Sequence, residues 1–383
     1  MKVFIIRYKK TKDIPEGGEK ASELNRHVIT TIAGEDNVDT YYIHDESRRR
    51  TLGEYLQGIF FMPFGYYFGL TPRRVKEIVR LAQNYDVVFV DRSVFGIVAK
   101  KLKESNYTGR VVCFFHNVET VYFSAKYSKP HFSIFNFHFS LHPLRWLVVP
   151  CANRNDRWSC RFADRTIALS KRDDDELFRR YNRHADQIIP IAMEDRYAAN
   201  SESRTPNTEL TAIPPLCMFL GSYFPANVEG IEWFVRNVLP HVNIRMQIVG
   251  KGMEKTKEAD WMRNDIEILS NVPDLGSLFE AADFMVLPIF KGSGMKVKTC
   301  ESLMYGKNII GTPEAWSGYD VDTTKAGASC STADEFISFI NEVINKPRPR
   351  FNTYSRNVFV EQYSADCMVD KFRSIIMPDP QQK

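Results

Sequence analysis

The sequence has no paired-cysteine motif. Its seven cysteines are scattered through 383 residues, odd in number and without a C-x-x-C spacing. Neither a disulfide framework nor a zinc site is expected, and a reducing cytoplasm fits. Histidine and cysteine nowhere take up metal-ligand spacing, so no metal and no cofactor is expected. No apolar run is long enough to span a bilayer. The opening Met1-Lys2-Val3-Phe4-Ile5-Ile6-Arg7 reads as a first strand rather than a secretory core. Basic residues form no long continuous run and match no nucleic-acid-binding module, so no nucleic acid is expected as a partner. The dinucleotide fingerprint G-x-G-x-x-G is also missing.

What is present suits a globular chain, with 44% hydrophobic and 26% charged residues. Its length exceeds one ordinary core, so two domains are expected. The net charge of +4 is unevenly spread. Residues 1–200 carry 32 Lys and Arg against 24 Asp and Glu, and the remainder carries 19 against 23. The basic part also holds two aromatic-rich segments. Tyr55–Leu70 is followed by Arg73, Arg74 and Lys76, and the second runs from His131 to Pro150. Aromatic surface beside cations suits an anionic membrane interface; the plainer reading is core helices with a solvated basic face.

Strand-like and helix-like runs alternate along the chain. Strands are expected at Lys2–Tyr8, Asp86–Asp91, Arg110–Phe115, Arg165–Leu169 and Gln187–Ala192. Helices are expected over Gly18–Ala33, with Ala21, Leu24, Val28 and Ile32 on one face, over Val94–Leu102, and from Ser170. The polar stretch Met193–Pro215 reads as a linker. A second series follows. Its strands are Leu216–Leu220, Arg245–Val249, Ile266–Leu269, Phe284–Ile289 and Asn308–Gly311. Its helices are Asn227–Val242, Asp274–Ala282, Lys296–Tyr305, Glu335–Asn345 and a last one over Ser355–Ile376. The fold class is α/β: two Rossmann-like, doubly wound domains facing across a cleft. The expected boundaries are 1–195, a linker 196–215, a second domain 216–350, and a C-terminal helical segment 351–383. Ligands of such sheets bind at the carboxyl ends of the strands.

Chemistry concentrates at those strand ends. Gly292-Ser293-Gly294-Met295-Lys296-Val297-Lys298-Thr299-Cys300-Glu301 follows the strand Phe284–Ile289 and runs into a helix. Glycines let backbone N–H groups approach a diphosphate, a helix N-terminus favours an anion, and Lys298 adds a full charge. Glu301, one turn on, can accept from ribose hydroxyls. The plainer reading is a glycine turn with a surface ion pair worth ~0.3 kcal/mol. Pro15-Glu16-Gly17-Gly18-Glu19 offers a glycine pair at a helix start, a weaker signal. His116-Asn117, with Glu119 after it, ends the strand Arg110–Phe115, where His116 could meet a sugar hydroxyl or cap local backbone. Gly221-Ser222 and Asn227 open the second series, where Asn227 is either a phosphate-side residue or an N-cap. Gly250-Lys251 ends the next strand. Val272 and Leu275 flank a loop that could meet a nucleobase edge, with a helix cap at Asp274 as the alternative. Asp173-Asp174-Asp175-Glu176 reads as an acidic first helical turn after the N-cap Ser170 rather than as a metal cluster.

In this order the motifs resemble the GT-B-fold glycosyltransferases of family four, the nucleotide-sugar-dependent retaining group. The segments FLGSYFPANVEGIEWFVRNVLPHV, MQIVGKG and NVPDLGSLFEAADFMVLPIFKGSGMKVKTCESLMYGKNIIGT carry the resemblance most strongly, and PEGGEK, FFHNVE and RTIALS more loosely. The subgroup most similar makes bacterial capsule, O-antigen or exopolysaccharide chains. The resemblance implies a donor held mainly by the second domain and a last helix crossing back to the first. It implies Glu301 at the ribose, Lys298 and neighbouring backbone at the diphosphate, Gly17-Gly18 at phosphate or acceptor, and His116 beside the transferred sugar. Two positions depart from the pattern. Ser293 stands where the family often has a glutamate, and Ser222 and Asn227 where it often has an arginine and a lysine.

The expected function is sugar transfer from a nucleotide-diphosphate donor to a lipid-linked or saccharide acceptor. It would be metal-independent, cytoplasmic and at the inner face of the membrane. The donor-site residues are Gly17, Gly18, Gly221, Ser222, Asn227, Gly250, Lys251, Val272, Leu275, Gly292, Gly294, Met295, Lys296, Val297, Lys298 and Glu301; the catalytic ones are His116, Lys298 and Glu301. The alternatives are a nucleotide-sugar epimerase and a non-catalytic sugar-nucleotide-binding protein.

Overall fold

The structure is a computed structural model that describes residues 1–10, 17–45, 52–127, 133–134, 137–138, 144–199, 214–292, 294–345 and 349–377. Its contacts divide the chain into two units, Met1–Pro190 with Met368–Lys383, and Ile191–Cys367.

The first unit is built on strands β1 (Val3–Lys10), β2 (Val38–Asp45), β3 (Val87–Val90), β4 (Arg110–Phe115), β7 (Arg165–Ala168) and β8 (Gln187–Ile188). They form one parallel sheet in the order β2-β1-β3-β4-β7-β8. A small antiparallel pair, β5 (Ser133–Ile134) and β6 (Phe137–His138), stands apart. The helices are α1 (Gly17–Ala33), α2 (Leu52–Phe61), α3 (Pro72–Ala82), α4 (Gly96–Glu104), α5 (Glu119–Lys126), α6 (Arg145–Phe162) and α7 (Lys171–Tyr181). Val87, Val88, Phe89 and Val90 are all buried, as a central parallel strand covered by helices on both faces requires.

Several elements of the first unit lay outside the sequence expectation, among them β2, α2, α3, α5 and α6. Strand β2 is at the sheet edge, and Ile43 is its one buried apolar residue among those described. Helix α6 buries Asn155, Asp156 and Ser159 along with Val148, Cys151 and Ala152, so its core face is half polar. Asp156 accepts from Ser93 at 2.7 Å and from Thr120 N–H at 2.9 Å, and Asn155 accepts from Ile97 N–H at 2.8 Å. Helix α2 exposes Tyr55, Leu56 and Phe60, and α3 starts at Pro72 behind the N-cap Thr71.

The second unit repeats the plan. Its sheet runs β11 (Ile266–Leu269), β10 (Arg245–Val249), β9 (Leu216–Leu220), β12 (Phe284–Leu287), β13 (Ile309–Gly311), β14 (Gly327–Ser329), all parallel. The helices are α8 (Arg196–Ala199), α9 (Pro225–Asn237), α10 (Gly276–Ala281), α11 (Val297–Met304), α12 (Thr323–Ala326), α13 (Ala333–Asn345) and α14 (Thr353–Val358). Gly306 has φ +58 just past α11, the left-handed position expected of it.

The single last helix expected over Ser355–Ile376 is instead three pieces. After α14 comes one π-helical turn, Phe359–Tyr363, then extended Ser364, then α15 (Ala365–Ile376). The break exists because Ser364 pairs in parallel with Met193, and Met193 N–H donates to the Tyr363 carbonyl at 2.9 Å. For the same reason Met193–Ala199 is not free linker: Asp195 also binds the Arg356 guanidinium. The rest of the expected linker, 200–213, lies outside the described residues. From Met368 onward the chain packs with the first unit. Phe372 lies parallel to Phe114 at 6.3 Å, and Arg110 donates to the carbonyls of Ile375 and Met377. Among the described residues, no helix is long and apolar enough to cross a membrane.

Candidate functional site

In the second unit, the parallel strands all point their carboxyl ends to one edge, and the sequence motifs fall along it. Gly221 and Ser222 follow β9, Gly250 and Lys251 follow β10, Val272 and Leu275 follow β11, and the glycine-lysine segment follows β12. The first two strand ends and α11 meet. Gly221 N–H donates to the Val249 carbonyl at 2.9 Å, and Tyr223 N–H to the Lys251 carbonyl at 2.8 Å. Gly250 has φ +151, and a Cβ there would overlap the Gly221 carbonyl, so only glycine fits. Val272 and Leu275 are partly buried two strands away from β9, in the loop after β11. Asp274 accepts from Gly276 N–H at 2.9 Å, but the N-cap position of α10 is Leu275 rather than Asp274.

Lys298 is the centre of this cluster. It lies in the first turn of α11, and its Nζ donates to Asn227 Oδ1 at 2.7 Å. Nζ also sits 4.7 Å from the Phe219 ring centroid, a cation–π contact with β9. Asn227 is fixed in turn, its Nδ2 donating to the Ser222 carbonyl at 2.8 Å. It is not the N-cap: α9 begins at Pro225 with Phe224 as N-cap. A Cβ on Gly221 would lie 2.8 Å from Lys298 Nζ and 2.9 Å from Asn227 Nδ2, so this glycine makes room for the pair. Burial pushes the Lys298 ammonium down to about 7; the Glu301 charge opposes the shift and Lys296 adds to it.

Glu301 is buried three residues further along α11. The helix start is held by Thr299, which donates to the Ala315 carbonyl at 2.8 Å, and by Tyr319, which donates to the Lys296 carbonyl at 2.7 Å. Neither N-cap residue, Phe224 of α9 or Lys296 of α11, makes a side-chain capping bond. Two helix N-termini therefore flank Lys298 without a side-chain acceptor of that kind.

Lys296 has a different setting. Its Nζ pairs with Glu314 at 2.7 Å and donates to the Gly294 carbonyl at 2.8 Å. Gly292 accommodates it, since a Cβ there would be 2.8 Å from Lys296 Cε. Gly294 has φ +62. Met295 is buried, with its sulfur 3.4 Å from Ile191 N–H, and Val297 opens α11 partly buried. Ser293 lies outside the described residues.

A second cluster occupies the carboxyl edge of the first unit's sheet. His116 follows β4 and is buried, with Nε2 3.2 Å from Asp91 Oδ1 and 3.5 Å from Ser22 Oγ. Asp91 follows β3 and also accepts from Asn25 at 3.0 Å. Burial raises the Asp91 pKa, but His116 and Arg7 outweigh it and hold the carboxyl below its usual range. Arg7 of β1 is 1% exposed and pairs with Glu23 at 2.5 Å. Arg92 pairs with Glu19 at 3.1 Å. Burial pushes the Glu119 carboxyl up to about 7 despite the neighbouring Arg92. Among the described residues, Arg7 Nε and Nη2, Asp91 Oδ2 and Arg92 Nε are buried without a hydrogen-bond partner. Arg7 Nε faces Asp91 Oδ2 at 4.0 Å and Arg7 Nη2 faces Glu19 at 3.9 Å, so this buried polar centre is held by long ion pairs rather than by a full set of hydrogen bonds. Gly17 and Gly18 open α1, the helix that supplies Glu19, Ser22, Glu23 and Asn25; Pro15 and Glu16 lie outside the described residues.

The sequence marks His116 at this edge, and the structure gathers Arg7, Asp91 and Arg92 around it. Asp91 was legible as the charge closing DVVFVD, at a strand end. Arg7 was not, because it sits inside an apolar strand run. Asp173 and Asp174 confirm the plainer reading: Ser170 caps Asp173 N–H, and Asp174 accepts from Ala185 N–H at 2.7 Å. No group of residues that could hold a metal is found among those described.

Residues 214–346 match a family described as glycosyl transferases group 1. Searching curated proteins by sequence finds no match. Among solved structures, the chain is similar to HepE of Anabaena in complex with UDP, with 13% identity, a TM-score of 0.65, and 98% of this chain and 99% of that one covered. The same protein is also known with UDP-glucose. Sucrose-phosphate synthase of Thermosynechococcus elongatus is similar at 12% identity and a TM-score of 0.68, with 98% of each chain covered. TarM of S. aureus is similar at 9% identity and a TM-score of 0.64, with 99% of each covered. At these identities the likeness establishes the fold, a two-unit α/β architecture of the GT-B type. Together with the family match over the second unit's sheet, it supports a GT-B glycosyltransferase.

Proposed function

We propose that this protein transfers a sugar from a nucleotide-diphosphate sugar to a lipid-linked or saccharide acceptor. The observation that carries the reading is Lys298, a partly buried lysine locked to Asn227 between the starts of α9 and α11. A diphosphate seated there meets a lysine and two helix N-termini, without calling on a metal ion. In the reaction the bond between the sugar's anomeric carbon and the diphosphate oxygen breaks. A bond from that carbon to the acceptor hydroxyl oxygen forms, and the hydroxyl proton leaves with the diphosphate. Negative charge grows on the leaving group, so a fixed cation and fixed dipoles stabilise the transition state more than the ground state. Glu301 accepts from the ribose hydroxyls in this reading, and the polar centre around His116 and Asp91 handles the sugar or acceptor. Retention of configuration, a role in surface polysaccharide synthesis and a cytoplasmic place at the membrane follow from the family resemblance. UDP is the nucleotide to try first, because HepE binds it.

The test is incubation with a panel of nucleotide sugars, with and without membrane lipid extract. Nucleotide release that requires the extract, with label moving into a lipid or saccharide product, is the expected result. Conversion of the donor without acceptor would instead make the protein an epimerase, and binding without turnover would make it a non-catalytic sugar-nucleotide binder.

A further inference from the structure

Helix α2 is amphipathic in the wrong sense for a helix facing water. Glu54, Gln57, Gly58 and Phe61 line a cavity of 660 Å³. Tyr55, Leu56 and Phe60, on the other face, are 48%, 59% and 67% exposed. Phe64 continues this surface at 61% in the 3₁₀ turn after the helix. A water-facing helix buries its apolar stripe; here Glu54 and Gln57, with Phe61, face a cavity, while Tyr55, Leu56 and Phe60 face out. Cations flank the outer surface. The Arg154 guanidinium binds the Pro63 carbonyl next to Phe64, and Lys100 stands over the Trp158 ring at 4.6 Å. Trp146, at the start of the same helix α6, is 74% exposed.

The cavity opens at the end of β2 and the start of α3. His44, Glu54, Gln57, Arg73 and Glu77 bring polar groups to it, and Phe61 a ring. Carboxylates and an amide beside an aromatic ring suit a saccharide, whose hydroxyls donate and whose C–H faces lie on rings. Its size falls within the ~300–1,000 Å³ of small-molecule sites. His44 is 6.4 Å, ring to ring, from Tyr8, next in β1 to Arg7 of the polar centre.

We infer that the α2–α3 cavity holds the saccharide head of a membrane-embedded acceptor while the apolar face of α2 rests in the bilayer interface. The inference rests on the transferase reading and assigns its acceptor. An apolar face outward and a polar face inward is what a helix at the bilayer surface needs when the substrate's head must leave the membrane without losing its lipid. Neighbouring cations favour anionic headgroups.

The test uses the full-length protein and three readouts. Flotation with vesicles of equal parts phosphatidylcholine and phosphatidylglycerol should carry the wild type upward, and Leu56→Glu/Phe60→Glu should stay at the bottom. Binding of octyl glucoside below its micelle concentration, followed by saturation-transfer NMR and calorimetry, should weaken about tenfold in Glu54→Ala/Gln57→Ala. UDP binding should be unchanged in both double variants, which also shows that they fold. If wild type fails to float, or the α2 face variant floats as well as wild type, the interface is wrong. If the cavity variant binds octyl glucoside like wild type, the cavity is not the saccharide site. Loss of UDP-sugar binding by the wild type itself would sink the transferase reading and is a separate outcome.

Discussion

Lys298 sets the sharpest expectations at the scale of single residues. Lys298→Ala should lower sugar transfer by ~10²–10³, the size of effect seen when one transition-state partner is removed, and Glu301→Ala, at the ribose, should lower it mainly by raising the donor KM, while both proteins stay folded. Circular dichroism and turnover with the active donor check this, and wild-type rates in the double variant would remove both residues from the site. The depressed pKa adds a second expectation. With a value of about 7 in the free protein, Lys298 is largely neutral at pH 8. A diphosphate anion stabilises the charged form, so the pKa rises on binding and a proton is taken up. Calorimetry of UDP binding at pH 8, in two buffers of different ionisation enthalpy, should report net uptake that disappears in Lys298→Met. Release, or no exchange, would mean the nucleotide does not meet this amine. Glu119 is the converse case in the first unit. Its folded pKa, about 7, lies above the ordinary 4.5 of a glutamate, so the folded state holds the proton more tightly. The stability it contributes is fully present below pH 4.5 and is lost as pH rises through 7. Glu119→Gln should therefore melt a few degrees higher than wild type at pH 8 and gain less at pH 5.

At the scale of elements, the motif segment keeps its geometry because other elements hold it. Gly230 shows this best. It lies inside α9, and a Cβ there would overlap the Pro288 carbonyl just past β12. The missing side chain lets α9 lie close against the end of β12, within reach of Lys298 through Asn227. Gly230→Ala should destabilise the protein by ~1–3 kcal/mol through overpacking and weaken nucleotide binding at the same time; thermal melts with and without UDP measure both, and an unchanged melting temperature would show that α9 has room to move. Gly230 was unremarkable in the sequence, because a close approach between two distant segments leaves no local mark. The same limit explains which elements were legible. Buried strands such as Val87–Val90 and Leu216–Leu220 announce themselves as continuous apolar runs. Strand β2 at the edge and α6 with its polar core face do not, since their stability comes from partners far along the chain. The break at Ser364 is likewise imposed by Met193, 171 residues earlier in sequence. For the candidate site, the glycines, Lys298 and Glu301 stand out in the sequence because they fall within ten residues of one another, a short local pattern. The Lys296–Glu314 pair and the Arg7–Asp91–His116 centre do not, because each joins residues from different segments of the chain.

For the whole molecule, charge and apolar surface belong to the same part of the chain. Residues 1–200 hold the basic excess, and the exposed Tyr55, Leu56, Phe60, Phe64 and Trp146 lie within them. These two attractions respond differently to salt. Coulombic attraction to an anionic surface is screened over ~10 Å at 0.1 M salt and ~3 Å at 1 M, whereas burial of apolar side chains is not weakened by screening. If both act, vesicle binding should fall steeply as sodium chloride rises from low to physiological strength and then level off at a residual value. Leu56→Glu/Phe60→Glu should remove the residual part. Replacing phosphatidylglycerol with phosphatidylcholine should remove the salt-sensitive part and leave the residual. Binding that salt abolishes completely would mean that charge alone acts and that the outward face of α2 does not enter the interface. Binding indifferent to salt would assign the whole attraction to that face and leave the basic excess of the first 200 residues without a role at the membrane.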